Sequence, residues 1–180
     1  MKLFNWFKRK SSTQYTCSEC GGIHGGWPAL TFSSPTAHYE LSETEKSEIA
    51  ELDTDFCIIN HPEQTDRFIR VTFTQMVLDS NEDLDYGVWV SLSEKSFQDY
   101  KANYNKTQHE VRYFGWLSNF IPPYDYTFSI PTTVVTRKGN QRPEIFPHQD
   151  YDHPLVRAFY DGISAHEAQR RVDEMLSNTN

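Results

Sequence analysis

The stretch Tyr86-Gly87-Val88-Trp89-Val90-Ser91-Leu92 decides the predicted fold, because large apolar side chains occupy every second position from Tyr86 to Leu92. This period of two indicates a β-strand that buries one face. Residues 67–77 repeat the pattern, with Ile69, Val71 and Phe73 on one face. Two such strands, separated by an acidic and polar loop at residues 79–85, predict a β-rich centre for the chain.

Shorter segments on either side predict the rest of the domain. Ser42 and Glu45 fit a capping box that opens a short helix reaching about Leu52, and a final helix begins at Ser164. Further strands are expected at residues 56–59, 111–117 and 126–137. We therefore predict a single α+β domain over residues 14–180, with a twisted, mainly antiparallel sheet, a few helices and a small N-terminal CxxC/His knuckle. Residues 1–13 are expected to form a basic, flexible tail.

Charge is divided unevenly between these two parts. The first twelve residues carry four basic and no acidic side chains, and the remainder carries 13 basic and 25 acidic side chains, a net charge of −12. An acidic body repels the phosphate backbone, so we expect that nucleic acid is not a partner. The same charge suits a basic protein partner, of the kind bound by bacterial immunity proteins or antitoxins.

Targeting signals are not evident in the sequence. No apolar stretch is long enough to cross a bilayer, and the apolar run at residues 3–7 is too short for the core of a secretory signal. Three cysteines, two of them in a CxxC pair, do not make a secreted disulfide framework. These features predict a cytoplasmic protein. Residues 1–10 leave contact with an anionic membrane surface as an alternative to a frayed terminus.

Metal-binding side chains are concentrated in the run Cys17-Ser-Glu-Cys20-Gly-Gly-Ile-His24. Two thiolates and an imidazole at this spacing favour one tetrahedral zinc ion, and Gly21 permits the tight turn between them. A structural zinc site needs a fourth ligand, for which Cys57 is the first candidate and His38 and His61 are substitutes. The alternatives are a metal-free turn and, for Cys57, a buried and inert thiol.

Two further groups of residues are candidates for binding or chemistry. Trp89, Trp116 and Tyr124 lie in or beside predicted strands, and Arg142 can supply a charged anchor; such residues dominate binding hot spots but also form ordinary cores. His153 follows Asp152, and a carboxylate beside an imidazole can raise its basicity. The alternative for His153 is a histidine that holds a structured turn through its backbone hydrogen bonds.

An ordered set of short motifs resembles the bacterial family called domain of unknown function 2199, over about residues 15–165. The matching motifs are Cys17-x-x-Cys20-Gly21-x-x-His24, Leu52-x-x-Asp55-x-Cys57-x-Ile59, Phe68-Ile69-Arg70, Gly87-Val88-Trp89-Val90-Ser91-Leu92-Ser93, Gly115-Trp116-Leu117-Ser118-Asn119, Pro123-Tyr124-x-x-Thr127, Arg142-Pro143 and Asp152-His153-Pro154-Leu155. The chain departs from the pattern at residues 74–77. The family pattern has a cysteine at the position of Cys57. The resemblance implies no activity, because the family is uncharacterised.

These observations together favour a non-catalytic, cytoplasmic bacterial binding module with a structural zinc knuckle. In this interpretation Cys17, Cys20 and His24 attach the N-terminal loop to the sheet, with Cys57 as the fourth ligand. The alternative is a metal-assisted hydrolase, in which the same Cys/His site holds a catalytic zinc ion and His153 acts as the acid-base group.

Overall fold

The computed structural model describes residues 14–16, 23–106, 108–139 and 141–177. Predicted tail residues 1–13 and the knuckle cysteines Cys17 and Cys20 lie outside these ranges. The strands are β1 (Gln14–Thr16), β2 (Ile23–Gly25), β3 (Leu30–Thr31), β4 (Ala50–Leu52), β5 (Phe56–Asn60), β6 (Thr65–Gln75), β7 (Leu84–Leu92), β8 (Arg112–Leu117), β9 (Pro131–Val135) and β10 (Glu144–Pro147). The helices are α1 (Thr36–Tyr39), α2 (Glu43–Ile49), α3 (Glu94–Asn103), α4 (Pro154–Asp161) and α5 (Ala165–Ser177).

Strands β6 to β10 form a closed five-stranded barrel, so the prediction of a twisted, mainly antiparallel sheet is wrong. Each strand pairs antiparallel with the next along the chain, and β10 returns to pair with β6. Because the number of strands is odd, the closing pair must be parallel. It is made where Glu144 lies opposite Thr72 and the Thr72 N–H donates to the Pro143 carbonyl at 2.8 Å.

The long strand β6 serves both the barrel and an extension of the sheet. Its first half, Thr65 to Ile69, pairs with β5, which in turn pairs with β4. Further along the same strand, Thr72 meets β10 instead. The short strand β3 extends the sheet on the other side by pairing in parallel with β7. The N-terminal strands β1 and β2 form a separate antiparallel pair in which Tyr15 lies opposite His24.

Side chains inside the barrel form the main core. The predicted alternation of β7 is confirmed, because Tyr86, Val88, Val90 and Leu92 are all buried in this core. The facing side chains of β6 join them, and helices α3, α4 and α5 add Phe97, Leu155, Ala168 and neighbouring residues. The barrel interior is therefore filled with side chains, as is usual for small barrels.

A second buried cluster lies on the outer side of β5, β6 and β7. It consists of Cys57, Ile59, Phe68 and Trp89, and residues 32–50 pack against it. The capping box of Ser42 and Glu45 is confirmed, but helix α2 ends at Ile49, short of the predicted Leu52. Residues 50–52 form β4 because pairing with β5 outweighs their local helical pattern. Among the described residues, no helix is long and apolar enough to cross a membrane.

Candidate functional site

The outer surface of β8, β9 and β10 carries aromatic rings in two adjacent rows. In one row Trp116 lies opposite Pro131, whose carbonyl accepts a hydrogen bond from the His148 N–H at 2.9 Å. In the next row Phe114 lies opposite Thr133, which lies opposite Phe146. Phe128 borders Trp116 at one end. We call this surface the aromatic face, defined by the five residues Phe114, Trp116, Phe128, Phe146 and His148.

Phe114 contacts two other rings of the aromatic face, and the rings of the face stay partly open to solvent. Phe114 lies edge-to-face against Trp116 at a centroid distance of 4.9 Å and against His148 at 5.5 Å. The His148 Nε2 atom is 3.2 Å from the Thr133 hydroxyl, which fixes the imidazole in the array. Phe114, Trp116, Phe128 and Phe146 nevertheless expose between 38% and 49% of their surface. Such a contiguous exposed aromatic patch is typical of a binding surface.

Shallow clefts flank the aromatic face. One, of about 350 Å³, is lined by Ala37, Asp66, Phe68, Ser91, Trp116, Ser118, Phe128 and Ser129. An adjoining cleft of about 320 Å³ shares Asp66, Ser91 and Trp116 and extends to Phe114. A third, of about 390 Å³, lies at the other end of the face beside Phe146, His148 and Tyr160. Clefts of this size accommodate side chains or small molecules.

Asp66 places a carboxylate where the first two clefts meet. Gln64 donates a 3.2 Å hydrogen bond to Asp66 Oδ1, and His61 Nε2 lies 3.4 Å from Oδ2. The neighbouring Arg67 is directed to other acceptors, because its guanidinium donates to the Thr65 carbonyl at 2.9 Å and to Glu94 at 3.1 Å. The cation closest to Asp66 in sequence is therefore already paired.

The five binding residues predicted from sequence lie in different environments. Trp116 is on the aromatic face, whereas Trp89 is fully buried and donates from its indole N–H to the Phe32 carbonyl at 3.0 Å. Arg142 lies at the barrel closure. Tyr124 and His153 contact each other, with ring centroids 6.3 Å apart. The structure thus places Tyr124 in contact with His153. It places Trp116 beside Phe114, which was not predicted from the sequence as a binding residue.

His153 uses both ring nitrogens to hold the start of helix α4. Its Nδ1 atom accepts the Leu155 N–H at 3.0 Å, which assigns the proton to Nε2, and Nε2 lies 2.7 Å from the Asp125 carbonyl. The preceding carboxylate, Asp152, pairs with Arg157 and not with the imidazole. This arrangement corresponds to the structural alternative and gives no support to an acid-base role.

The described part of the chain contains no group of three or more His, Cys, Asp and Glu side chains that could hold a metal ion. Cys17, Cys20 and the side chain of His24 lie outside that part, so the zinc site stays a prediction. Cys57 is fully buried, and burial, reinforced by the charge of Asp53, raises the pKa of its thiol to about 12. Its side chain packs in the second cluster with Ile59, Phe68 and Trp89.

Four of the five residues of the aromatic face were not predicted from the sequence: Phe114, Phe128, Phe146 and His148. The sequence of strand β8 does indicate an outward aromatic pair, because large apolar side chains occur on both faces of this strand. Tyr113 and Leu117 point inward, Phe114 and Trp116 point outward. Between them, a Cβ at Gly115 would lie 3.1 Å from Val134 and 3.2 Å from the Ser91 carbonyl, so a side chain there would require its neighbours to shift by a few tenths of an ångström.

Comparison with known proteins identifies the family and nothing closer. A family model described as an uncharacterised protein conserved in bacteria (DUF2199) matches residues 16–163. This match covers the barrel and the aromatic face and ends before helix α5. No curated protein and no solved structure matches the chain.

Proposed function

The chain belongs to the DUF2199 family of uncharacterised bacterial proteins, as its motifs indicated, and for this member we propose a non-catalytic binding function. The partner is a basic polypeptide that docks on the aromatic face. The observation that carries this proposal is the pair of rows of partly exposed rings on β8, β9 and β10, in which Phe114 contacts Trp116 and His148.

The energetics of the aromatic face support docking. Trp116 and Phe114 are held by the barrel and by each other, so little conformational freedom remains to be lost on binding. Burial of one large aromatic side chain contributes about 1.5–3 kcal/mol. Because these rings already hide more than half of their surface, each adds only part of this amount on docking, and apolar surface of the partner supplies the rest.

The charge of the domain supports a basic partner. Beyond the first twelve residues the chain has a net charge of −12, which attracts a cationic polypeptide and repels nucleic acid. The non-catalytic part of the proposal is supported by His153, whose ring nitrogens are both engaged in holding helix α4. We retain zinc at Cys17, Cys20 and His24 as a structural element of this proposal, on the spacing of the sequence alone.

Selection from a random peptide library displayed on phage tests the function, because it requires no identified partner. Wild-type protein is expected to enrich peptides that contain both basic and large apolar residues. Binding of these peptides, measured by isothermal titration, should fall at least about tenfold in Trp116→Ala and in Phe114→Ala, because these rings contribute most of the buried area. Their outward position predicts that both variants fold normally.

Tyr39→Ala is the matched control, since Tyr39 is also an exposed aromatic residue but lies on helix α1 outside the aromatic face. It should bind the selected peptides as the wild type does. Failure to enrich any peptide, or enrichment of peptides that bind Trp116→Ala and Phe114→Ala undiminished, would contradict the proposed function.

A further inference from the structure

We propose that the cleft between Trp116 and Phe128 receives an arginine or lysine side chain of the partner, with Asp66 as its counter-charge. The inference rests on the proposed function and assigns the residue that anchors the partner. It follows from three properties of the cleft: its walls, its one charged group, and the pairing of the charges around it.

The walls of this cleft suit a cationic side chain. Trp116 and Phe128 are both partly exposed at its sides, and the buried Phe68 contributes to its lining. An aromatic face attracts a cation through its quadrupole, and tryptophan does so most strongly. The methylene groups of arginine or lysine also pack well against apolar walls while the charged end reaches a polar group. The cleft volume of about 350 Å³ is sufficient for one such side chain.

Asp66 is the one charged side chain among the described residues that line this cleft; the polar remainder is Ser91, Ser118 and Ser129. Its carboxylate has lone pairs left for a ligand, because Gln64 and His61 approach one oxygen each and a carboxylate accepts about four hydrogen bonds. A cation in the cleft would therefore meet a carboxylate at one end, hydroxyl groups along its length and aromatic rings at its sides.

Two basic side chains near the cleft are already paired, and His61 approaches only one oxygen of Asp66. Arg67 lines the adjoining cleft, but Glu94 and the Thr65 carbonyl already bind its guanidinium. Lys46, on the helix that follows Ala37, is paired with Glu43. Arginine is expected to bind more tightly than lysine, because its planar guanidinium can stack on Trp116 and bind a carboxylate through two nitrogens.

Titration of the full chain with acetyl-arginine amide tests the inference, with acetyl-citrulline amide as the uncharged isostere. The readout is the indole N–H signal of Trp116 in nitrogen-15 NMR spectra, assigned with Trp116→Phe. We expect saturable shifts with arginine, weaker ones with lysine and none with citrulline at the same concentration. Asp66→Asn should weaken arginine binding at least about fivefold. Asp161→Asn, which removes an exposed carboxylate on α4, should leave it unchanged.

Equal shifts with arginine and citrulline, or undiminished arginine binding in Asp66→Asn, would overturn the cation pocket. The proposed function is tested separately. Binding of the selected peptides can be lost in Phe114→Ala and Trp116→Ala and yet be unchanged in Asp66→Asn. In that outcome the aromatic face binds its partner and the anchor assignment fails. If arginine occupies the cleft but no peptide is selected, the pocket stands and docking of a polypeptide fails.

Discussion

Arg142 Nε donates a hydrogen bond of 2.6 Å to Asp55 Oδ1, and this contact joins the two segments that meet where the barrel closes. Asp55 precedes β5, and its carbonyl also accepts the Arg70 N–H of β6 at 2.9 Å. Arg142 precedes Pro143, whose carbonyl receives the closing hydrogen bond from β6. The second carboxylate oxygen of Asp55 accepts the Tyr104 hydroxyl at 2.6 Å. One side chain therefore links β5, the end of α3 and the strand that closes the barrel.

Replacement of this carboxylate is expected to destabilise the domain more than replacement of its cationic partner. Asp55→Ala removes acceptors from both Tyr104 and Arg142 at a side chain that is only 13% exposed, so the free energy of unfolding should fall by about 2 kcal/mol. Arg142→Ala leaves the Tyr104 contact intact and should cost about 1 kcal/mol. Urea unfolding followed by circular dichroism measures both.

Asp152→Ala serves as the control for these variants, because Asp152 also pairs with an arginine but its side chain is 93% exposed. Its unfolding free energy should stay within about 0.5 kcal/mol of the wild type. If Asp55→Ala also stays within that range, the carboxylate does not stabilise the closure.

Tyr104 predicts a loss of stability in alkaline solution. Its hydrogen bond to Asp55, together with burial, raises the pKa of the phenol to about 12 from a usual value near 10. The pKa of Tyr104 is therefore higher in the folded than in the unfolded protein. Its contribution to the free energy of unfolding is complete below about pH 10 and is lost as the pH rises toward 12. Phenolate absorbance near 295 nm, compared between wild type and Tyr104→Phe, should show that Tyr104 titrates late. A Tyr104 that titrates near pH 10 in the folded protein would contradict this.

Strands β5 to β9 could be predicted from the sequence, but the closure of the barrel by β10 could not. The alternation in β6 and β7 reports which side chains are buried, and this property is local. Closure depends on the pairing of Thr72 with Glu144, residues far apart in the chain, and no period in either segment specifies that partner. The alternating pattern is the same for an open sheet and for a small barrel, because both bury one face of each strand.

The candidate site shows the same limit. Trp89 and Trp116 both occupy outward positions in adjacent strands of similar composition. Residues 32–50 cover Trp89, which becomes a core residue, and no described segment covers Trp116. The difference between them arises from where a distant segment packs, so the sequence could select both residues as candidates but could not distinguish them.

The zinc prediction is tested most directly at the cysteines. Elemental analysis of wild-type protein is expected to give close to one zinc ion per chain, and Cys17→Ser or Cys20→Ser should abolish it. Because Cys57 is enclosed among apolar side chains, Cys57→Ala is expected to retain zinc and to lower the unfolding free energy by about 1 kcal/mol. Loss of zinc in Cys57→Ala would instead establish it as the fourth ligand. Absence of zinc in the wild type would refute the metal site.

Helix α5 supplies a buried charge to the end of the barrel, although the family match ends before this helix. Arg171 is 3% exposed, and its guanidinium donates to the Tyr124 hydroxyl, to Glu167 at 2.9 Å and to the Tyr86 hydroxyl at 3.4 Å. Arg171→Met would leave the Tyr86 and Tyr124 hydroxyls without this donor, whereas Glu167 would keep its hydrogen bonds from Arg170. The free energy of unfolding should therefore fall by about 3 kcal/mol, as urea unfolding would show. Arg170→Met, at an exposed neighbour on the same helix, should change the free energy of unfolding much less than Arg171→Met does.

Glu167 makes the stabilisation of the fold by helix α5 dependent on pH. Hydrogen bonds from Arg170, and to a smaller extent from Arg171, lower the pKa of the Glu167 carboxyl below its usual value. Burial of the carboxyl acts in the opposite direction but does not outweigh them. Since the folded-state pKa is the lower one, this stabilisation is present above the unfolded pKa of about 4.3 and is lost as the pH falls through the folded value. The difference in unfolding free energy between wild type and Glu167→Gln should accordingly be largest near neutral pH and shrink below about pH 4. A difference that persists undiminished in acid would show that packing of the side chain, and not its charge, stabilises the helix.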